Sequence, residues 1–144
     1  MEITTSIIFN AASEKVWGIL IVFENYGKWN PFIKSIVGEV KVGNTLQVTI
    51  EPPNGSTMKF KPKLLVVNPQ KELRWKGKLL FKGLFDGEHF FYIIDNENGT
   101  ITFTQREKFT GILVPFFKKM IQVNIKNGFV LMNEKLKEIA ESIN

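Results

Sequence analysis

From Glu2 to Phe9 the chain alternates loosely and is rich in β-branched residues, Ile3, Thr4, Thr5, Ile7 and Ile8, which predicts a first strand. Asn10-Ala11-Ala12 breaks that pattern. Ser13 offers a helix N-cap and Glu14 a carboxylate in the first turn, while Val16, Trp17, Leu20 and Phe23 recur at helical spacing. A short helix to about Val22 is expected. Glu24 to Trp29 reads as a second short helical turn, stopped at Asn30-Pro31 because the residue before a proline is pushed out of the α region.

Strands then follow one another. Phe32 to Val37 is the next, ending at Gly38. Gly43-Asn44 turns the chain into Leu46, Val48 and Ile50, which alternate with polar residues as a half-buried strand does. Pro52-Pro53-Asn54-Gly55 is the strongest turn signal. One strand is expected from Ser56 to about Val67, with Met58, Phe60, Pro62 and Leu64 on one face. Pro62 lacks an N–H, so that strand should lie at an edge or carry a bulge. Asn68-Pro69-Gln70 turns into Leu73, Trp75, Gly77 and Leu79. After a loop near Lys82-Gly83, Phe85 to Ile94 forms a strand. It is joined through the hairpin turn Asp95-Asn96-Glu97-Asn98-Gly99 to Ile101, Phe103, Gln105, Glu107 and Phe109. Gly111 ends the meander and Pro115 suits a first helical turn.

Val114 to Ile143 is the only stretch periodic enough for a major helix. It carries Phe117, Met120, Ile121, Phe129, Met132 and Leu136 at spacings of three and four. Gly128 inside it costs about 1 kcal/mol relative to alanine, which a close approach to the sheet, or room left for a ligand, would explain. Strands first and one long helix last is an α+β pattern, with the helix lying across the concave face of an antiparallel sheet. There is no repeat or linker, so one domain is expected over residues 1–144.

Composition sharpens this in a few places. Phenylalanine occurs 13 times in 144 residues, more ring bulk than a domain of this size needs, which points to an aromatic-lined interior. With no cysteine and one histidine, thiolate chemistry, disulfides and multi-histidine metal sites are excluded. No metal or other cofactor is expected. No run approaches the length of a membrane span, so stable membrane insertion is not expected and a cytoplasmic protein is. The net charge of +5 permits weak attraction to anions without requiring it. Lys59, Lys61, Lys63, Arg74, Lys76 and Lys78 should form a basic outer sheet face. With no groove-reading motif it reads as solvated surface, and no nucleic-acid partner is expected. The exposed end of the last helix gives no dimer stripe.

The candidate chemistry lies on the inward face. His89 shares a strand face with Phe85 and Phe91; Gln105 and Glu107 share one with Phe103 and Phe109. Paired through the Asn98-Gly99 turn, those strands bring His89 near Gln105 or Glu107. An imidazole beside a carboxylate in an apolar pocket can orient a ligand, act as an acid/base pair, or merely hold strand register. Phe60, Trp75, Met120, Gly128 and Met132 are the expected apolar walls, and Asn124 a further polar group from the helix. Trp29-Asn30-Pro31-Phe32 reads first as a tight turn with packing rings, and second as a cavity rim.

Several segments together resemble the START-like, or SRPBCC, superfamily with the helix-grip fold. They are Val16-Trp17, Asn25-Tyr26-Gly27-Lys28-Trp29-Asn30-Pro31-Phe32, Gly83-Leu84-Phe85-Asp86-Gly87-Glu88-His89, Thr102-Phe103-Thr104-Gln105 with Glu107, Phe109 and Gly111, and Gly128-Phe129 with Met132-Asn133 and Leu136-Lys137. The likeness spans nearly the whole chain and is nearest the polyketide cyclase/dehydrase branch. It implies a seven-stranded antiparallel sheet gripping a long C-terminal helix around an apolar cavity, with two short helices between the first two strands. Members include lipid and hormone binders, polyketide cyclases, ring-hydroxylase subunits and heat-shock-protein activators. No residue motif for any one of those chemistries carries over. The leading expectation is a protein that binds, transports or sequesters a small hydrophobic molecule. A cyclase or dehydratase using His89 and Glu107 is the alternative, and an interaction domain like the heat-shock-protein activators a third.

Overall fold

The computed structural model describes residues 1–78 and 83–142. The expectations at Leu79, Lys82 and Ile143 lie outside the described residues. The first strand, β1 (Glu2–Phe9), has the predicted bounds. Helix α1 (Ser13–Leu20) starts one residue before Ser13 could cap it. The backbone N–H groups of Lys15 and Val16 already donate to the Ala12 carbonyl, so Ala12 is the N-cap and Ser13 the first helical residue. A 3₁₀ turn (Phe23–Asn25) and α2 (Tyr26–Trp29) follow, and Asn30 leaves the helix in an extended conformation, as its proline neighbour requires.

The remaining strands are β2 (Ile33–Val37), β3 (Gln47–Ile50), β4 (Met58–Phe60), β5 (Lys63–Asn68), β6 (Glu72–Lys78), β7 (Asp86–Asp95) and β8 (Ile101–Thr110). They do not form the expected seven-stranded sheet. Five pair antiparallel in the order β1-β8-β7-β6-β5, and three in the order β2-β3-β4. The difference arises at Pro62. The strand expected from Ser56 to Val67 is two strands, β4 and β5, that belong to different sheets.

The pairing with residues 44–50 keeps one register on either side of the break, from Ile50 opposite Met58 to Thr45 opposite Lys63. Leu46 N–H donates to the Pro62 carbonyl at 2.7 Å and Leu64 N–H to the Asn44 carbonyl at 2.9 Å, so the lead-in to β3 pairs with β5. Two residues after Leu46, Val48 of β3 pairs with Phe60 of β4 in the same register. A proline with no N–H interrupts the ladder there, and the two sheets meet at a corner. Gly77 lies under that corner, where a Cβ would stand 3.2 Å from the Phe60 ring and 3.3 Å from Pro62 Cβ.

The expected single helix Val114–Ile143 is helical without a gap to Glu141, but its winding changes along the way: a 3₁₀ turn (Val114–Phe117) with Pro115 in its first turn, a π-helical stretch (Met120–Ile125) and α3 (Lys126–Glu141). Apolar spacing reveals which side chains face inward. It does not reveal whether an N–H reaches back three, four or five residues. Along α3, Phe129, Met132, Leu136 and Ala140 are buried against the sheet and α1. Gly128 is explained by close approach. A Cβ there would lie 2.3 Å from the Phe32 ring, so the space is taken by that ring and not left for a ligand.

The outer face is less uniformly basic than its sequence suggests. Arg74 pairs with Glu72 and, at 3.6 Å, with Glu88. Arg74 and Arg106 also sit over the ring of Phe90, 4.6 and 5.0 Å from its centre, which explains how an outward-facing phenylalanine is buried. Among the described residues no helix is long and apolar enough to cross a membrane.

Candidate functional site

Strand pairing sets the site. In the β7–β8 hairpin His89 faces Glu107 directly and Phe91 faces Gln105. The hairpin turn that imposes this register is closed by left-handed Glu97 and Gly99.

Both ring nitrogens of His89 are engaged. Nε2 lies 3.0 Å from Gln105 Oε1, and Nδ1 lies 3.3 Å from Glu107 Oε1. Gln105 spends its amide nitrogen elsewhere, donating to Asn133 Oδ1 at 2.7 Å and toward the Phe129 carbonyl at 3.4 Å. Asn133 Nδ2 in turn donates to Thr5 Oγ1 at 2.9 Å. With the Gln105 oxygen turned to the histidine, His89 Nε2 carries a hydrogen and donates it. Nδ1 is left facing a carboxylate oxygen of Glu107. Aromatic rings enclose the imidazole: Phe91 stacks on it at 4.3 Å, with Phe129 at 4.9 Å and Trp75 at 5.5 Å.

Beside this pair lies a narrow cavity, open to water over about 50 Å³. Phe32, Ile33, Ile50, Met58 and Phe60 form the wall on the three-stranded side. Trp75, Gly77, Lys78, Gly87, His89, Glu107 and Phe109 form the wall on the five-stranded side. Phe85 and the π-helical Ile125 complete the lining. Glu107 is the carboxylate of that lining, and Lys78 contributes the ammonium.

Five of the residues expected at a pocket therefore meet around it: Phe60, Trp75, Phe85, His89 and Glu107. Phe91, Phe103, Gln105, Gly128 and Met132 do not line it. They are buried behind it as core, with Gln105 supporting His89. Met120 is half-buried against the core and also outside the lining. Asn124 points elsewhere, donating to the Asn54 carbonyl in the turn between β3 and β4.

The polar residue that α3 does send inward is Asn133, which enters the sequence pattern only as part of the family resemblance. Its position four residues after Phe129 was the available signal. Ile125, four before Phe129, was legible in the same way. Asn30 acts as expected of a turn: its Oδ1 accepts from the N–H groups of Phe32 and Ile33 at 2.9 and 2.8 Å. That turn also delivers Phe32 into the cavity wall.

The sequence profile of the family described as polyketide cyclase / dehydrase and lipid transport matches residues 1–141. The chain belongs to the polyketide cyclase / dehydrase and lipid transport family. Solved structures agree on the fold of this family member. A START superfamily protein from Mycobacterium smegmatis superposes with a TM-score of 0.75 at 16% identity, covering 99% of each chain. A norcoclaurine synthase from Thalictrum, solved with a transition-state analogue, gives 0.74 at 12% identity, covering 97% of this chain and 93% of that one. The di-domain ARO/CYC protein BexL from the BE-7585A biosynthetic pathway gives 0.77 at 11% identity, with 100% of this chain matching 51% of that one. No curated protein matches the sequence.

Proposed function

We propose that the protein binds a small apolar molecule in the cavity between the two sheets and the π-helical segment, with the molecule's polar end against Glu107. The observation that carries this reading is the make-up of the cavity: aromatic and aliphatic walls around one carboxylate–imidazole pair, 3.3 Å apart. A small number of placed polar groups in an apolar pocket is what orients a ligand. Glu107 Oε1 is occupied by His89, so Oε2 is the oxygen that accepts a hydrogen bond from a ligand hydroxyl or amine. The family's description, which includes lipid transport, supports the same class of ligand.

Native mass spectrometry of freshly purified protein tests the reading. The expected result is a co-purifying apolar molecule that Trp75→Ala releases. Protein that stays free of ligand, and whose Trp75 fluorescence is unmoved by 1-anilinonaphthalene-8-sulfonate, contradicts it.

A second reading is favoured by the 3.3 Å approach of His89 Nδ1 to Glu107 Oε1. A carboxylate and an imidazole this close beside a bound molecule are placed to move a proton, as a cyclase or dehydratase requires. On this reading, the molecule retained by His89→Ala or Glu107→Gln differs from the one retained by the unaltered protein: heavier by one water if the step dehydrates, an open-chain isomer of different chromatographic retention if it only closes a ring. Identical mass and identical retention leave binding alone.

A further inference from the structure

Among the described residues, the two most exposed large apolar side chains are Phe116, at 82%, and Ile112, at 70%. They lie four residues apart in one short tip of the molecule, between β8 and the π-helical segment. This tip is held by the fold. Gly111 adopts a φ of +126°, and a Cβ there would stand 2.4 Å from the Leu84 carbonyl oxygen. Ile112 N–H donates to the Gly83 carbonyl at 3.1 Å, Leu113 N–H to the Leu84 carbonyl at 2.9 Å, and Phe116 N–H to the Leu113 carbonyl at 3.0 Å. The same turn that buries Val114 and packs Leu113 on the core therefore presents Ile112 and Phe116 to solvent.

Along this stretch of chain the charge has one sign. Exposed Lys118 and Lys119 follow the rings directly. Between Glu107 and Glu134 the chain contains Lys108, Lys118, Lys119 and Lys126 and no acidic residue. Two exposed apolar side chains are far too little for a stable protein interface, which needs roughly 1,200 Å² or more. They suffice for reversible attachment to a lipid surface when lysines stand beside them.

We propose that the tip at residues 111–119 docks the protein on an anionic membrane surface. Ile112 and Phe116 enter the interfacial zone, and Lys118 and Lys119 lie among the head groups. Nothing in this requires the cavity to be occupied. The geometry does link the two: Phe117, inside the tip, packs edge-on against Phe85 of the cavity wall, with ring centres 5.4 Å apart.

Flotation of the full chain with phosphatidylcholine vesicles, with and without phosphatidylserine, tests the proposal. Binding is expected to the mixed vesicles and to weaken with added salt. Phe116→Ser should lower partitioning about tenfold or more, from the transfer free energy of one ring. Lys118→Gln with Lys119→Gln should lower binding to the anionic vesicles about 25-fold at low salt. Phe116→Trp should bind as the unaltered protein does and shift its emission to the blue on mixed vesicles. Gly87→Ala, which alters only the cavity, should float normally, so loss of ligand binding and loss of docking read separately. The proposal is overturned if the unaltered protein fails to float with mixed vesicles, or if Phe116→Ser floats as well as it does. A Phe116-dependent dimer in sedimentation, without vesicle binding, overturns it in favour of self-association.

Discussion

The Cβ that Gly87 lacks would stand 2.5 Å from Oε2 of Glu107. In the β7–β8 ladder Gly87 pairs with Phe109, one inward position along from the His89–Glu107 pair. Glu107 therefore bends its carboxylate over bare backbone, and the missing side chain on β7 is what keeps that carboxylate in the cavity. Gly87 is not among the positive-φ residues, so alanine is tolerated by the backbone. Gly87→Ala should fold with stability within about 1 kcal/mol of the parent, because the atom it meets is the end of a flexible side chain. Ligand affinity should fall about tenfold through the displaced hydrogen bond. Titration with the co-purified molecule, alongside a urea melt, checks both halves.

Gln105 joins His89 to Asn133, and Gln105→Leu leaves both buried partners unmatched. The expected cost is about 2–4 kcal/mol, since each orphaned group forfeits its desolvation. Urea denaturation measures it. The triple change Gln105→Leu, Asn133→Leu, His89→Phe should recover part of the loss, because the two partners that Gln105→Leu strands are removed, and only Thr5 Oγ1 and Glu107 then lose a contact.

Gly128→Ala sets a helix-propensity gain of about 1 kcal/mol against overpacking of about 1–3 kcal/mol from the Phe32 ring. Net destabilisation is expected. In a double-mutant cycle Phe32→Leu should make Gly128→Ala neutral or stabilising. If the alanine costs the same with either residue at position 32, the contact is not the reason for the glycine.

Tyr26 is wholly buried with its hydroxyl donating to the Leu20 carbonyl, and burial pushes its phenol above the ordinary value of 10.0. In the unfolded chain the phenol ionises near 10.0, while in the native state it stays neutral. Its contribution is therefore complete below 10.0 and is lost as pH rises beyond it, at up to about 1.4 kcal/mol per unit. Tyr26→Phe should begin about 1 kcal/mol less stable at neutral pH, through the lost hydrogen bond, and should show a shallower alkaline decline. Chemical denaturation from neutral to alkaline pH compares the two slopes.

The hairpin, and His89 beside Gln105 or Glu107, were legible because a period of two and a turn that closes at Gly99 put all three on the face that buries Phe103 and Phe109; the register opposing His89 to Glu107 came from the structure. Three features were not. The alternation of Met58, Phe60, Pro62 and Leu64 runs unbroken through the point where the chain changes sheets, so only a missing N–H marked the corner. The widened turns at Met120–Ile125 rotate Asn124 away from the face that α-helical spacing assigns it, toward Asn54. Asn133 sits at a spacing that a leucine would fill, and its role appears only once Gln105 and Thr5 are seen on facing strands.

The β1–β8 pairing has a consequence for how the chain is made. The Ser6 and Thr104 hydroxyls hydrogen-bond across 98 residues, and the amino group of Met1 reaches the Phe109 carbonyl across 108. On the ribosome β1 emerges first and waits for β8. Until then its inward row, Ile3, Thr5 and Phe9, has no ladder beside it, and the meander grows from the other edge. Closing so long a loop is slow, and it exposes a β-branched strand to other nascent chains meanwhile. Substitutions that weaken β1 should therefore show first as poor yield from translation, before they show as a lower melting temperature.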